Sequence, residues 1–78
     1  MNISVIIPAF NEADSITQTI KKVHQHSKQH ILEIIVVDGG STDQTIQKAK
    51  ITGTKVLKSP KKGRATQMNF GAKQARGE

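Results

Sequence analysis

The sequence predicts an α/β chain, part of a doubly wound, Rossmann-like parallel sheet in the order β-α-β-α-β-α with a three-layer sandwich arrangement. Three observations carry this. An apolar run from Ile3 to Ile7 is followed by Ile16, Ile20 and Val23 at helical spacing. A second run, Ile34-Ile35-Val36-Val37, is apolar and β-branched without alternation, as in strands buried on both faces of a parallel sheet. That run ends in an acidic, glycine-rich turn, Asp38-Gly39-Gly40-Ser41-Thr42-Asp43.

The first strand is read over Asn2 to Ala9, with Pro8 marking its end. Asn11 then has two readings, a helix cap or a ligand contact. Glu12 and Asp14 would occupy the first turn of a helix of about four turns, where negative charge is favoured. Its polar side is Thr19, Lys21, Lys22, Gln25 and Lys28. The second strand runs from Ile31 to Asp38, and strand-helix-strand in this order implies a right-handed parallel crossover. The glycine pair Gly39-Gly40 permits positive φ and close approach of another group.

Ser41-x-x-Gln44 is a capping-box pattern that predicts a second helix. Ile46, Ala49 and Ile51 form its apolar stripe, Gly53 ends it, and Thr54 to Lys58 follows as a short strand. Ser59 to Arg64 is a loop by composition. A third helix starts at Ala65, with Ala65, Met68, Ala72 and Ala75 on its packing face. Gln67, Asn69 and Lys73 read as polar positions. Gly71 interrupts the helix at a cost of roughly 1 kcal/mol relative to alanine, which suggests close packing. Residues Ala75-Arg76-Gly77-Glu78 read as a helix end rather than a domain end. Three strands leave sheet edges that call for cover by another strand or a second copy of the chain.

Composition bounds the rest. The 78 residues are one unit, with 35% apolar residues and no cysteine. Disulfides and thiolate metal sites are excluded, and a cysteine-free chain fits the cytoplasm. No apolar run is long enough to span a bilayer, and no secretory signal is visible. His24, His26 and His30 read as surface residues, because residues two apart do not share a helix face. The twelve Lys and Arg against six Asp and Glu give a net charge of +6. Nine of those basic residues fall between Lys48 and Arg76, a field that attracts phosphates.

In open parallel sheets, ligands bind beyond the carboxyl ends of the strands. Pro8 to Glu12, Asp38 to Asp43 and Ser59 to Arg64 converge there. Asp38 and Glu12 can accept hydrogen bonds from a base or ribose. Backbone N–H groups at Gly40 and Ser41 can face an anionic group. Lys62 and Arg64 can neutralise phosphates. Phe10 and Met68 read as packing residues, and Asp43 as dipole stabilisation. Together this describes a nucleotide site. The dinucleotide fingerprint G-x-G-x-x-G and the G-x-x-x-x-G-K-[ST] loop are both absent, so NAD and simple ATPase readings are poor.

Three ordered segments carry a family resemblance: Val5-Ile6-Ile7-Pro8-Ala9-Phe10-Asn11-Glu12, Glu33 through Asp43, and Gly63-Arg64-Ala65-x-Gln67-Met68-Asn69-x-Gly71-Ala72. The chain resembles the amino-terminal half of family 2 glycosyltransferases, inverting enzymes of the GT-A fold that use nucleotide-diphosphate sugars. The resemblance implies that Pro8, Ala9 and Glu12 line the nucleoside pocket. It implies that Asp38 contacts a uracil-type base, that Arg64 reaches toward the nucleotide, and that Asn69 lies near the same site. Gly39 stands where many members carry a second aspartate.

The resemblance also implies a UDP-sugar as partner and a divalent cation, Mg²⁺ or Mn²⁺, as cofactor. Family members hold that ion on an Asp-x-Asp-like motif and use a carboxylate base, both beyond a segment like Ala75 to Glu78. The chain alone is therefore expected to bind nucleotide weakly and to be inactive. It would act in the cytoplasm or at the inner face of a membrane. Two alternatives stand beside this: a structural or regulatory remnant of the fold, and a small basic nucleic-acid-binding module. The latter lacks the aromatic platforms of single-strand binders. A nucleotidyltransferase would place a glycine-rich loop after the first strand, where none exists.

Overall fold

The computed structural model describes residues 2–26 and 30–75. The elements are β1 (Asn2–Ala9), α1 (Ile16–His26), β2 (His30–Asp38), α2 (Thr45–Ile51), β3 (Lys55–Lys58) and α3 (Arg64–Gln74). This is the expected order. The strands form one parallel sheet with β2 in the middle. Ala9 pairs with Asp38 and Asp38 with Lys58. The three strands therefore end level, and the loops that follow them meet at one edge.

The pleat sorts side chains to two faces. Ala9 of β1 and Ile34 and Val36 of β2 pack with Ile16 and Ile20 of α1 and Ala49 of α2 in the main core. Val5, Ile7, Val23 and Val56 cover its margin. Alternation sends Ile6 and Val37 to the opposite face, where α3 lies. Gly71 makes that packing close: a Cβ there would lie 2.7 Å from Ile6 Cγ2 and 2.8 Å from Val37 Cγ2. The layers are helix, sheet, helix, as predicted. Among the described residues, no helix is long and apolar enough to cross a membrane.

Five local expectations are corrected. Helix α1 begins at Ile16, so Glu12 and Asp14 precede it. The Glu12 carbonyl accepts from Ser15 N at 3.0 Å and Ile16 N at 2.8 Å, making a turn first. Asn11 does not cap α1; its left-handed backbone (φ 50) accompanies a side chain whose Oδ1 accepts from Thr42 N at 2.8 Å. The capping box does not form. Helix α2 starts at Thr45, Gln44 makes no side-chain cap bond, and the Ser41 hydroxyl donates to Asp38 instead.

In α2 the buried residues are Thr45 and Ala49, while Ile51 is 84% exposed where the short helix ends. Gly53 does close it, donating to Lys50 O at 3.0 Å. In α3 the packing face is Gln67 and Gly71, whereas Ala65, Met68 and Ala72 are exposed. Close approach to the sheet selects the residue without a side chain, which rotates the alanines outward. Lys28, Arg76, Gly77 and Glu78, and the side chains of His26 and His30, lie outside what is described.

Candidate functional site

At the carboxyl edge of the sheet a cleft of about 210 Å³ is lined by Pro8, Ala9, Phe10, Glu12, Lys62, Gly63, Arg64 and Gln67. That is below the roughly 300–1,000 Å³ of most small-molecule sites, so it suits one portion of a larger ligand. The end of β1 supplies one wall and the β3–α3 loop the other. Glu12 stands on the first wall; Lys62 and Arg64 stand on the second. The Lys62 Nζ lies 4.1 Å from the centre of the Phe10 ring, a cation–π contact that bridges the walls. Glu12 folds back, its Oε2 accepting from Phe10 N at 3.1 Å.

The turn after β2 lies beside this cleft and is internally satisfied. Asp38 is 0% exposed. Its Oδ2 accepts from Gly40 N at 2.9 Å and Ser41 N at 2.8 Å, and its Oδ1 accepts from the Ser41 hydroxyl. Ser41 Oγ in turn accepts from Asn11 N at 2.8 Å. The N–H groups of Gly40 and Ser41, expected to face an anion, are thus engaged by Asp38. The carboxylate expected to meet a base organises the turn. The glycine pair divides its work: Gly40 adopts φ 103, while Gly39 yields space to Gln67, whose Oε1 would lie 2.7 Å from a Cβ at residue 39.

Asp43 and Thr45 tie the same turn to β1. Thr45 is fully buried. Its hydroxyl accepts from Glu12 N at 2.8 Å and donates to Asp43 Oδ1, and Asp43 also accepts from the N–H of Thr45 and of Ala13. The Thr45 hydroxyl, first among these contacts, holds the Asp43 carboxyl below its ordinary value. A depressed folded-state value stabilises the fold above the unfolded-state pKa and is lost as pH falls through the folded one. Thr45→Val should destabilise the chain at neutral pH, since Glu12 N and the Asp43 carboxylate both lose the hydroxyl as partner. It should also flatten the acid limb of stability between those two values. Urea unfolding at a series of pH values checks both.

Sequence reasoning missed Gln67. It is 3% exposed. Its Nε2 donates to Ala9 O at 3.0 Å and to Val37 O at 2.8 Å, and its Oε1 accepts from Gly63 N at 3.0 Å. One amide therefore joins the ends of β1 and β2 to the loop before α3. The available signal was spacing: Gly63, Gln67 and Gly71 recur every four residues, one helix face. Asn69, expected near the same site, is placed apart from the cleft. It is exposed and absent from the cleft lining, about 200° around α3 from Gln67. Pro8, Ala9, Glu12, Lys62 and Arg64 are brought together as expected.

A family model described as glycosyl transferase family 2 matches residues 4–78. A dolichol-phosphate mannosyltransferase of Pyrococcus furiosus is 30% identical over 83 aligned positions, covering 100% of this chain and 24% of its own. A glucosyl-3-phosphoglycerate synthase of Mycolicibacterium smegmatis is 34% identical over 55 positions, 70% of this chain and 18% of its own. The crystal structure of glucosyl-3-phosphoglycerate synthase from Mycobacterium tuberculosis, in complex with Mn²⁺, UDP and glucosyl-3-phosphoglycerate, superposes with a TM-score of 0.84 at 27% identity. It covers 97% of this chain and 30% of that one. The chain spans less than a third of the length of each of these proteins.

Proposed function

The chain belongs to glycosyl transferase family 2, and from that premise we propose that its strand-end cleft binds the nucleotide of a nucleotide-diphosphate sugar, a UDP-sugar, for inverting transfer to an acceptor hydroxyl. The observation that carries this is the polarity of the cleft. Glu12 on one wall can accept from ribose hydroxyls or a base, while Lys62 and Arg64 on the other suit a diphosphate. Pro8 and Ala9 supply the apolar surface between them. Asp38, Gly40 and Ser41 act one step back, by holding the turn beside the cleft. The M. tuberculosis structures that hold UDP and UDP-glucose in a similar fold support the choice of nucleotide.

Mn²⁺ or Mg²⁺ accompanies the nucleotide in several of those structures. Among the described residues here, no group of three or more His, Cys, Asp or Glu could hold such an ion. The described residues do not fit the metal. What these residues do is bind and orient: the basic wall fixes the phosphates and the first strand end fixes the nucleoside. A cytoplasmic setting fits a cysteine-free chain.

The basic wall gives the test. Arg64→Ala should weaken UDP binding about tenfold, or roughly 1.4 kcal/mol, and Lys62→Ala by less, with binding by both falling as salt rises. Uridine, which lacks phosphates, should bind both variants and the parent chain alike. Competitive calorimetry or fluorescence reads these affinities. Equal UDP affinity in the Arg64→Ala variant would overturn the assignment of the basic wall.

A further inference from the structure

Gln67 forms the floor between the two walls. Both of its amide hydrogens are engaged, one on Ala9 O and one on Val37 O, and its oxygen receives Gly63 N. The amide orientation is thereby fixed, because only Nε2 can donate. Ala9 O also accepts from Gly39 N at 2.9 Å, so the ends of β1 and β2 are already joined. Gln67 adds the third segment. The Gly63 it holds sits between Lys62 and Arg64 and has φ 140, a backbone that favours glycine. Beside the Lys62–Phe10 contact, this buried side chain thus ties the basic wall to the Pro8–Glu12 wall.

Residue 39 is the counterpart. A Cβ there would lie 2.7 Å from Gln67 Oε1 and 2.9 Å from Gln67 Cδ. Gly39 has no positive φ, so its backbone accepts any residue. The three atoms that would lie nearest a side chain here all belong to Gln67. Gly39 and Gln67 are therefore a steric pair: the amide occupies the volume that a side chain at residue 39 would fill.

We infer that Gln67 is a positioning residue that sets the width of the nucleoside-diphosphate cleft, and that Gly39 is there to admit it. This rests on the nucleotide reading above. It goes further by naming the residue pair that fixes the distance between base-side and phosphate-side groups. Neither residue need touch the ligand through its side chain.

The test uses the parent chain, Gly39→Ala, Gln67→Ala and the double variant, titrated with UDP and followed by amide NMR and thermal unfolding. Gly39→Ala and Gln67→Ala should each lower UDP affinity about tenfold while the remaining amide spectrum stays folded. The double variant should bind no worse than Gln67→Ala alone, because the amide that alanine at residue 39 would strike is then gone. In the parent chain the Gln67 side-chain amide protons should exchange slowly with water and shift on addition of UDP. A merely structural glutamine would change the unfolding temperature and leave those shifts and affinities unmoved.

If the two substitutions weaken binding independently, or the Gln67 amide protons do not respond to UDP, the positioning role is overturned while the nucleotide site stands. If the parent chain shows no UDP-dependent shifts, the nucleotide reading fails and the inference fails with it. Should Gln67→Ala not fold, Gly39→Ala and the amide signature of the parent chain decide the matter.

Discussion

Asp38→Ala should lower the stability of the chain by roughly 2–4 kcal/mol, the cost of removing charge-assisted acceptors from buried or partly buried donors. The carboxylate receives Gly40 N, Ser41 N and the Ser41 hydroxyl. Alanine leaves all three without their partner and opens a cavity beneath the turn. Ser41 then loses its hold on Asn11 N, so the β1 wall of the cleft loosens too. Asp38→Asn is the informative companion. Its amide oxygen still accepts from the backbone and should retain most of the stability, at a cost of roughly 1 kcal/mol. Folded Asp38→Asn should bind UDP almost as the parent does, because the carboxylate is 0% exposed. A residue that read the base directly would show the reverse pattern, lost affinity at unchanged stability. Urea unfolding and UDP titration of the two variants separate the cases.

The second large effect is expected at Gly71. Gly71→Ala replaces a poor helix former with the best one, a local gain of roughly 1 kcal/mol. The structure predicts a net loss all the same. The new methyl would meet Ile6 Cγ2 at 2.7 Å and Val37 Cγ2 at 2.8 Å. Both belong to strands fixed by the sheet, so α3 must move away. Overpacking of this kind costs roughly 1–3 kcal/mol, and Gly71→Val should reach the upper end of that range. Moving α3 also displaces Arg64 and Gln67, so UDP affinity should fall in parallel. Urea unfolding with an unchanged slope would show that stability, not compactness, has changed.

These residues show what the sequence made legible. Strand and helix order followed from apolar runs and glycine punctuation, because burial of whole elements leaves a periodic record. The convergence of Pro8, Ala9, Glu12, Lys62 and Arg64 followed from parallel topology alone, since all strands end at one edge. Gly71 as a close-packing position was also legible. What escaped was the wiring between loops. Asn11 and Ser41 have the chemistry of helix caps, and local pattern cannot reveal that each instead serves the neighbouring loop, 30 or 31 residues away. Gln67 looked like a surface residue because glutamine usually is one. Its burial depends on three partners from three different segments, none visible in its own neighbourhood. Asp38 stands at a strand end that faces a ligand edge, and the same position places it against its own turn, a contact the sequence does not reveal.

The basic residues illustrate a similar division. Lys62 and Arg64 line the cleft, while Lys50, Lys55 and Lys58 are exposed elsewhere. Composition alone does not tell a phosphate-attracting residue from a solvated one. The fold places two of them in the cleft and leaves the others as solvated charge.

The cleft at this edge of the sheet is proposed to hold a nucleoside diphosphate. An amide NMR titration of the chain with UDP tests it most directly. Saturable shifts are expected, concentrated at Ala9, Phe10, Glu12, Gly63, Arg64 and Gln67 and weakened by salt. Shifts that never saturate, or that centre on α1 around Lys21 and Lys22 instead of the cleft, would contradict it.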